Sequence, residues 1–162
     1  MACTTLEWTI RPAATGDAAA MRQCVHDAYS HYIDRMGQTP GPMLDDYEAV
    51  VRREGSFVSV TPSGTVVGIL VMIESATRML LDNVAVAPGC QGQGLGAALL
   101  QLADQYTLER GFRELELYTH EKMTENIAMY GRAGFEETCR IEEKGFARVY
   151  MRKVLTPEAK QR

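Results

Sequence analysis

The stretch VAVAPGCQGQGLGAALL, residues 84–100, leaves an apolar run, places Gly89, Gly92, Gly94 and Gly96 in one loop, and then begins a helical pattern. Each glycine costs conformational entropy on folding, so this density needs a physical reason. A strand that ends in glycines and runs into a helix gathers unpaired backbone N–H groups and the positive end of the helix dipole at one point, where an anion is stabilised. Glycines also let the main chain approach the anion's oxygens and turn successive N–H groups inward. No Lys or Arg lies between Arg78 and Arg110. Backbone dipoles, with Gln91 and Gln93, must therefore hold the charge, and phosphate is the expected guest.

Several phosphate loops compete with a glycine turn that holds nothing. A Walker loop needs Lys and then Ser or Thr after its last glycine, whereas Gly96 is followed by Ala97 and Ala98, which speaks against hydrolysis of a nucleoside triphosphate. The dinucleotide fingerprint fits better, since Gly92, Gly94 and Ala97 satisfy its looser form and Glu116 or Glu121 lies downstream. That oxidoreductase reading needs repeated strand–helix crossovers, and the pattern here supplies a single such unit between a meander and a closing hairpin.

Gln91-Gly92-Gln93-Gly94-Leu95-Gly96, preceded by VAVAP, resembles the acetyl-CoA pyrophosphate loop of the GNAT superfamily of N-acetyltransferases. Downstream, NIAMYGRAGFEE resembles that family's second signature, a short helix carrying Tyr followed by Gly-Phe and a final hairpin. The order of elements matches over residues 8–154. The resemblance implies an α/β GNAT fold in one domain over 1–162, with a mixed twisted central sheet of about six or seven strands flanked by about four helices. It implies acetyl-CoA as cosubstrate and no metal. Cofactor contacts would come from Val84, Ala85 and Val86, from Gln91 through Ala97 (Gly92, Gln93, Gly94, Leu95 and Gly96 between them), and from Asn126 and Tyr130. Two positions depart from the pattern. Gln91 stands where many members carry Arg, and the family's asparagine falls on Met123, with Asn126 one turn later.

Acetyl transfer from a thioester to an amine requires a neutral amine, a stabilised oxyanion and a proton for the departing thiolate. An alkyl amine has a reference pKa of about 10.4, so a base must act at neutral pH. By the resemblance, backbone N–H groups around Val84 to Val86 receive the thioester carbonyl. Tyr130 is the expected general acid, a phenol of pKa about 10 beside a forming thiolate. Asp82, Glu74 and His120 are the candidate bases, with His120 titrating closest to neutrality, and a water chain can substitute for all three. His26 and His31 lack ligand spacing and read as surface residues. A non-catalytic acyl-CoA sensor would keep the loop without needing the Tyr130 hydroxyl.

Periodicity supplies the elements that position these groups. LEWTIRPA reads as a strand ended by Pro12. Residues 17–36 place Met21, Val25, Ala28, Tyr29, Tyr32, Ile33 and Met36 on one helical face, and MLDDYEAVVRREG reads as a second helix stopped by Gly55. SFVSV, the turn TPSG and TVVGILVMIE form a hairpin, and MLLDNVAV adds a strand in the middle of the sheet. Leu95, Leu99, Leu102, Ala103 and Tyr106 mark a helix closed by Gly111, and RELELYT alternates Leu115, Leu117 and Thr119 against Glu114, Glu116 and Tyr118. Thr124 would cap a short helix ending near Gly134, and EETCRIEE with ARVYMRKVL closes the chain as a hairpin about KG.

At 162 residues the chain fits one domain with a sizeable core. Apolar residues at 46% and charged ones at 23% speak against disorder. A net charge of −4 disfavours nucleic acid and anionic lipid as partners and tolerates a cationic substrate. Asp34, Asp45, Asp46 and Glu48 fall in the part to which the resemblance gives substrate recognition and would suit a cationic substrate, although a solvated charged face is the commoner explanation of such a cluster. A small-molecule amine is the expected partner over a protein amine, with a homodimer allowed. VVGILVMI is too short to span a bilayer, and MACTTLEWTI lacks the flanks of a signal peptide, so a cytoplasmic protein is expected. Cys3, Cys24, Cys90 and Cys139 have no paired spacing and read as reduced thiols.

Overall fold

The computed structural model describes residues 5–157. Within them a sheet runs in the order β1 (Thr9–Pro12), β2 (Ser56–Val60), β3 (Val66–Glu74), β4 (Met79–Val86), β5 (Glu114–His120), β7 (Phe146–Val154), β6 (Glu136–Glu143). The α-helices are α1 (Ala18–Tyr29), α2 (Tyr32–Met36), α3 (Tyr47–Val50), α4 (Leu95–Glu109) and α5 (Thr124–Arg132). β4 and β5 pair parallel while β1–β2, β2–β3, β5–β7 and β6–β7 pair antiparallel, so the sheet is mixed. Its seven strands meet the architecture expected of the GNAT fold, with one helix more than expected. The described chain divides into two compact units. One takes in the chain to Val71 together with Asn83–Leu99, and the other takes in Met72–Asp82 with the chain from Leu100.

In the first unit, Arg11 leaves β1 as a two-point clasp on Asp17, at 2.7 and 3.0 Å, and Asp17 also accepts the Ala14 N–H. That turn delivers α1, which buries Met21, Cys24, Val25, Ala28 and Tyr29. The single helix expected over 17–36 is interrupted at Ser30 and His31. There the Ile33 N–H bonds the Ser30 carbonyl, a tighter winding than the α-helix, before α2 resumes and ends at Gly37 with φ 72°. The interruption keeps Tyr32 in the core while Ile33 and Met36 are only half-buried. His26 and His31 are exposed.

The second expected helix is also shorter. Pro42 sits in a 3-10 turn at Gly41–Leu44, and α3 starts only after Asp46, whose carboxylate accepts the Glu48 N–H at 3.1 Å. Beyond Val51 the backbone bonds span three residues rather than four, and Gly55, with φ 88°, ends the segment. The β2–β3 hairpin places Gly68 beneath the start of α4. A Cβ at Gly68 would stand 3.1 Å from Leu95 Cδ2, 3.2 Å from Leu99 Cδ1 and 3.3 Å from Ser59 Cβ, so the missing side chain lets the helix sit close to the strand.

In the second unit, β4 and β5 register at Met79↔Leu115 and Leu80↔Glu116. Leu115, Leu117 and Thr119 are buried on β5, as its alternation predicts. The stripe of α4 is rotated from the one expected: Leu95, Leu99, Leu100, Ala103 and Thr107 are buried, whereas Leu102 and Tyr106 are half-buried. Thr107 joins that stripe because its hydroxyl donates to the Ala103 carbonyl at 2.7 Å and needs no water. Gly111, with φ 88°, closes α4. The final hairpin turns through Lys144 and Gly145, both at positive φ. No helix among the described residues is long and apolar enough to cross a membrane.

Candidate active site

The glycine loop lies wholly in the first unit. β4 ends with Val84 and Ala85 buried and Val86 half-buried, and a 3-10 turn at Pro88–Cys90 leads away from it. Gln91 does not extend toward the loop's mouth, because its Nε2 donates to the Val86 carbonyl at 3.2 Å and ties the loop back to the strand. Gln93 is likewise engaged, accepting the Leu6 N–H at 3.0 Å. Gly92 and Gly94 have φ of 77° and 88°, a conformation costly for any residue with a Cβ. A Cβ at either would meet nothing within 4 Å, so the dihedral and not crowding requires glycine there.

The helical ladder of α4 begins where the Ala98 N–H bonds the Gly94 carbonyl at 3.0 Å. The N–H groups of Leu95, Gly96 and Ala97 therefore precede the first intrahelical bond, and Gly94, as the capping residue, has no side chain to accept one. Leu95 is buried as the anchor of this turn, Gly96 is half-buried and Ala97 exposed. Open space over left-handed glycines and an uncapped helix start fit a diphosphate held by main-chain dipoles.

The second unit holds the other candidates. Tyr130, on α5, is 4% exposed, and its ring stands edge-on to Phe135 with centroids 5.7 Å apart. Met123 occupies the capping position of α5, and the expected cap, Thr124, is its first residue, with its hydroxyl turned to Glu125. The Met123 sulfur accepts from Thr119 Oγ1 at 3.6 Å and from Asn126 Nδ2 at 3.7 Å. Asn126 thus turns back toward the position where the resemblance sets an asparagine.

His120 ends β5, is 7% exposed, and accepts the Lys122 N–H on Nδ1 at 3.0 Å. That bond puts the proton of the neutral ring on Nε2. Burial pushes its pKa below the ordinary histidine value, the charge of Glu121 opposing and that of Lys122 adding to the shift. Glu74 is exposed at the turn end of β3, 3.2 Å from the Arg110 Nε. Asp82 is half-buried on β4 between buried Leu81 and Asn83.

Asp34, Asp45, Asp46 and Glu48 are all exposed in the first unit. Cys24 is buried, which pushes its thiol up to about 12, while Cys90 is half-buried, Cys139 is exposed and Cys3 lies outside the described residues. Sequence reasoning passed over Asn83, which is 3% exposed and hydrogen-bonded to two buried tyrosines. An asparagine in an otherwise apolar strand was the available signal, since such a residue needs buried partners.

The chain belongs to the GNAT acetyltransferase family, whose model matches residues 19–135, and is an acetyl-CoA-dependent N-acetyltransferase. Membership displaces the dinucleotide and sensor readings of the loop. Aminoglycoside N(6')-acetyltransferase type 1 of Stenotrophomonas maltophilia is 30% identical over 164 residues, covering 93% of this chain and 96% of that protein. Streptothricin acetyltransferase of Streptomyces lavendulae is 33% identical over 125 residues, covering 75% of this chain and 65% of that protein. The fold is shared with the PaiA N-acetyltransferase of Thermoplasma acidophilum, solved in complex with coenzyme A, at a TM-score of 0.77 and 16% identity over 92% of this chain and 99% of that one.

Proposed function

We propose that this enzyme acetylates a primary amine on a small cationic molecule, the amine attacking the thioester directly in a ternary complex. One observation carries the reading: a helix start opened by two left-handed glycines, with no cation between Arg78 and Arg110, in a chain alike over 93% of its length to an enzyme named for an aminoglycoside. The acceptor class is further supported by the streptothricin enzyme and by the exposed acidic residues Asp34, Asp45, Asp46 and Glu48.

Acetyl-CoA supplies an acyl group already activated as a thioester. The residues of the chain do the remaining work. Amides of Gly92 through Ala97 hold the diphosphate, and N–H groups of Val84 to Val86 stabilise the oxygen on which charge develops. Tyr130 donates its hydroxyl proton to the leaving sulfur. Among the proposed bases, His120 carries its proton on Nε2 and Glu74 meets Arg110 at the turn end of its strand. Proton removal from the amine falls to one of Asp82, Glu74 and His120, directly or through water.

The test is thiol release from acetyl-CoA across a panel of aminoglycosides, streptothricins, polyamines and peptide N-termini, with both substrates varied. Turnover of small polyamines or antibiotics with intersecting double-reciprocal lines supports the proposal. Turnover of peptides alone, or parallel lines from a covalent acyl-enzyme, removes it.

A further inference from the structure

Tyr29 on α1, Tyr47 on α3 and Asn83 on β4 are 5%, 1% and 3% exposed, and the chemistry above uses none of them. Their polar atoms form a connected path. The Tyr29 hydroxyl lies 2.9 Å from Asn83 Oδ1 and 3.1 Å from the Val84 carbonyl. Asn83 Nδ2 donates to the Tyr47 hydroxyl oxygen at 3.4 Å, and that hydroxyl donates to the Pro42 carbonyl at 2.6 Å. Because a hydroxyl has one proton to give, Tyr29 serves either Asn83 Oδ1 or the Val84 carbonyl at any moment, while Asn83 donates to Tyr47 and Tyr47 to Pro42. The path therefore runs in one direction, from the strand at Asn83 and Val84 to the turn at Pro42.

The two ends of the path give it meaning. One is Val84, whose backbone receives the thioester in the function proposed above. The other is Pro42, in the turn at Gly41–Leu44 that leads directly into Asp45 and Asp46. We infer that Asn83 and Tyr47 are positioning residues for the acceptor amine, fixing the segment from Gly41 to Asp46 against the strand end at Val84. The inference rests on that proposed function. An asparagine suits the central place because it alone among residues of its size offers an acceptor on one side and a donor on the other.

That requirement supplies the experiment. In Asn83→Asp the carboxylate accepts from both tyrosines and has nothing to donate, so the Tyr47 proton turns from Pro42 toward residue 83. Tyr47→Phe removes the bonds from Asn83 and to Pro42 and keeps the ring, whereas Tyr29→Phe leaves the Asn83–Tyr47–Pro42 half intact. Each variant is measured for amine KM, kcat, acetyl-CoA affinity by calorimetry, and melting midpoint. Asn83→Asp and Tyr47→Phe should raise the amine KM by about fivefold or more while acetyl-CoA affinity stays within about twofold, with Tyr29→Phe milder.

An unchanged amine KM in Tyr47→Phe overturns the inference, as does a parallel loss of acetyl-CoA affinity, which would mark a merely structural role. Should Asn83→Asp fail to fold, Tyr47→Phe decides, since it removes one oxygen and no volume from the ring. Failure of the underlying function is seen separately, as wild-type protein that gives no calorimetric heat with acetyl-CoA.

Discussion

At the residue scale, Tyr130 and His120 invite opposite expectations. The Tyr130 ring is held by Phe135 and by burial, so Tyr130→Phe keeps the ring packing and removes the hydroxyl. The expected outcome is a fall in kcat of about a hundredfold with acetyl-CoA affinity unchanged, read by steady-state kinetics beside calorimetry. For His120 the expectation concerns stability. Burial holds its folded pKa below the ordinary value of about 6.5, so the unfolded chain takes up the proton first. Stability is complete above that value and is lost as pH falls from it toward the folded pKa. Melting midpoints between pH 8 and pH 5 should decline in wild type, and His120→Gln should flatten that part of the profile. The Asp17 carboxyl, which the Arg11 clasp holds below its ordinary value, affects a separate and more acidic window. A profile through pH 6.5 that is the same in both proteins would contradict the account of His120.

At the element scale, two glycines hold the start of α4 for different reasons. Gly94 has open space and a left-handed dihedral, so Gly94→Ala strains the backbone by about 1–2 kcal/mol, and acetyl-CoA affinity should drop about tenfold in calorimetry. Gly68 has a dihedral open to any residue and crowded space, so Gly68→Ala pushes against Leu95 and Leu99 and should cost about 1–3 kcal/mol in chemical denaturation. Combining it with Leu99→Val should recover part of that loss, because the two sites share one contact. The first requirement was legible in the sequence and the second was not. A left-handed residue before a helix selects glycine locally, whereas the closeness of Gly68 to α4 depends on a tertiary contact that no local pattern records. The same distinction explains the rest. Apolar runs bounded by Gly, Pro and Ser marked the strands, and the Lys144–Gly145 turn marked the final hairpin. The apolar stripe continued through Ser30 and hid the break between α1 and α2. Asn83 meets its tyrosine partners across 54 and 36 residues of chain, beyond any motif window.

At the scale of the whole molecule, the net charge of −4 acts on the two proposed substrates with opposite sign. Acetyl-CoA is polyanionic, and the loop proposed to receive it carries no Lys or Arg, so in the proposed function its phosphates are held by short-range dipoles inside a field that repels them at a distance. A polycationic amine meets the same field as an attraction, focused at the exposed carboxylates of Asp34, Asp45, Asp46 and Glu48. Salt shortens the reach of both effects, to about 10 Å at 0.1 M and about 3 Å at 1 M. Raising ionic strength should therefore lower kcat/KM for a polyamine or aminoglycoside and at the same time raise the association rate of acetyl-CoA. A monoamine of the same reactivity should show a much shallower fall, since the gain from the field scales with the acceptor's charge. Stopped-flow binding of the coenzyme and steady-state kinetics with acceptors of graded charge, both followed from about 0.05 to 0.5 M salt, separate these slopes. A coenzyme association rate that falls with salt would mean that cationic side chains guide it in, and the dipole account of the loop would then fail while acetyl transfer itself stood.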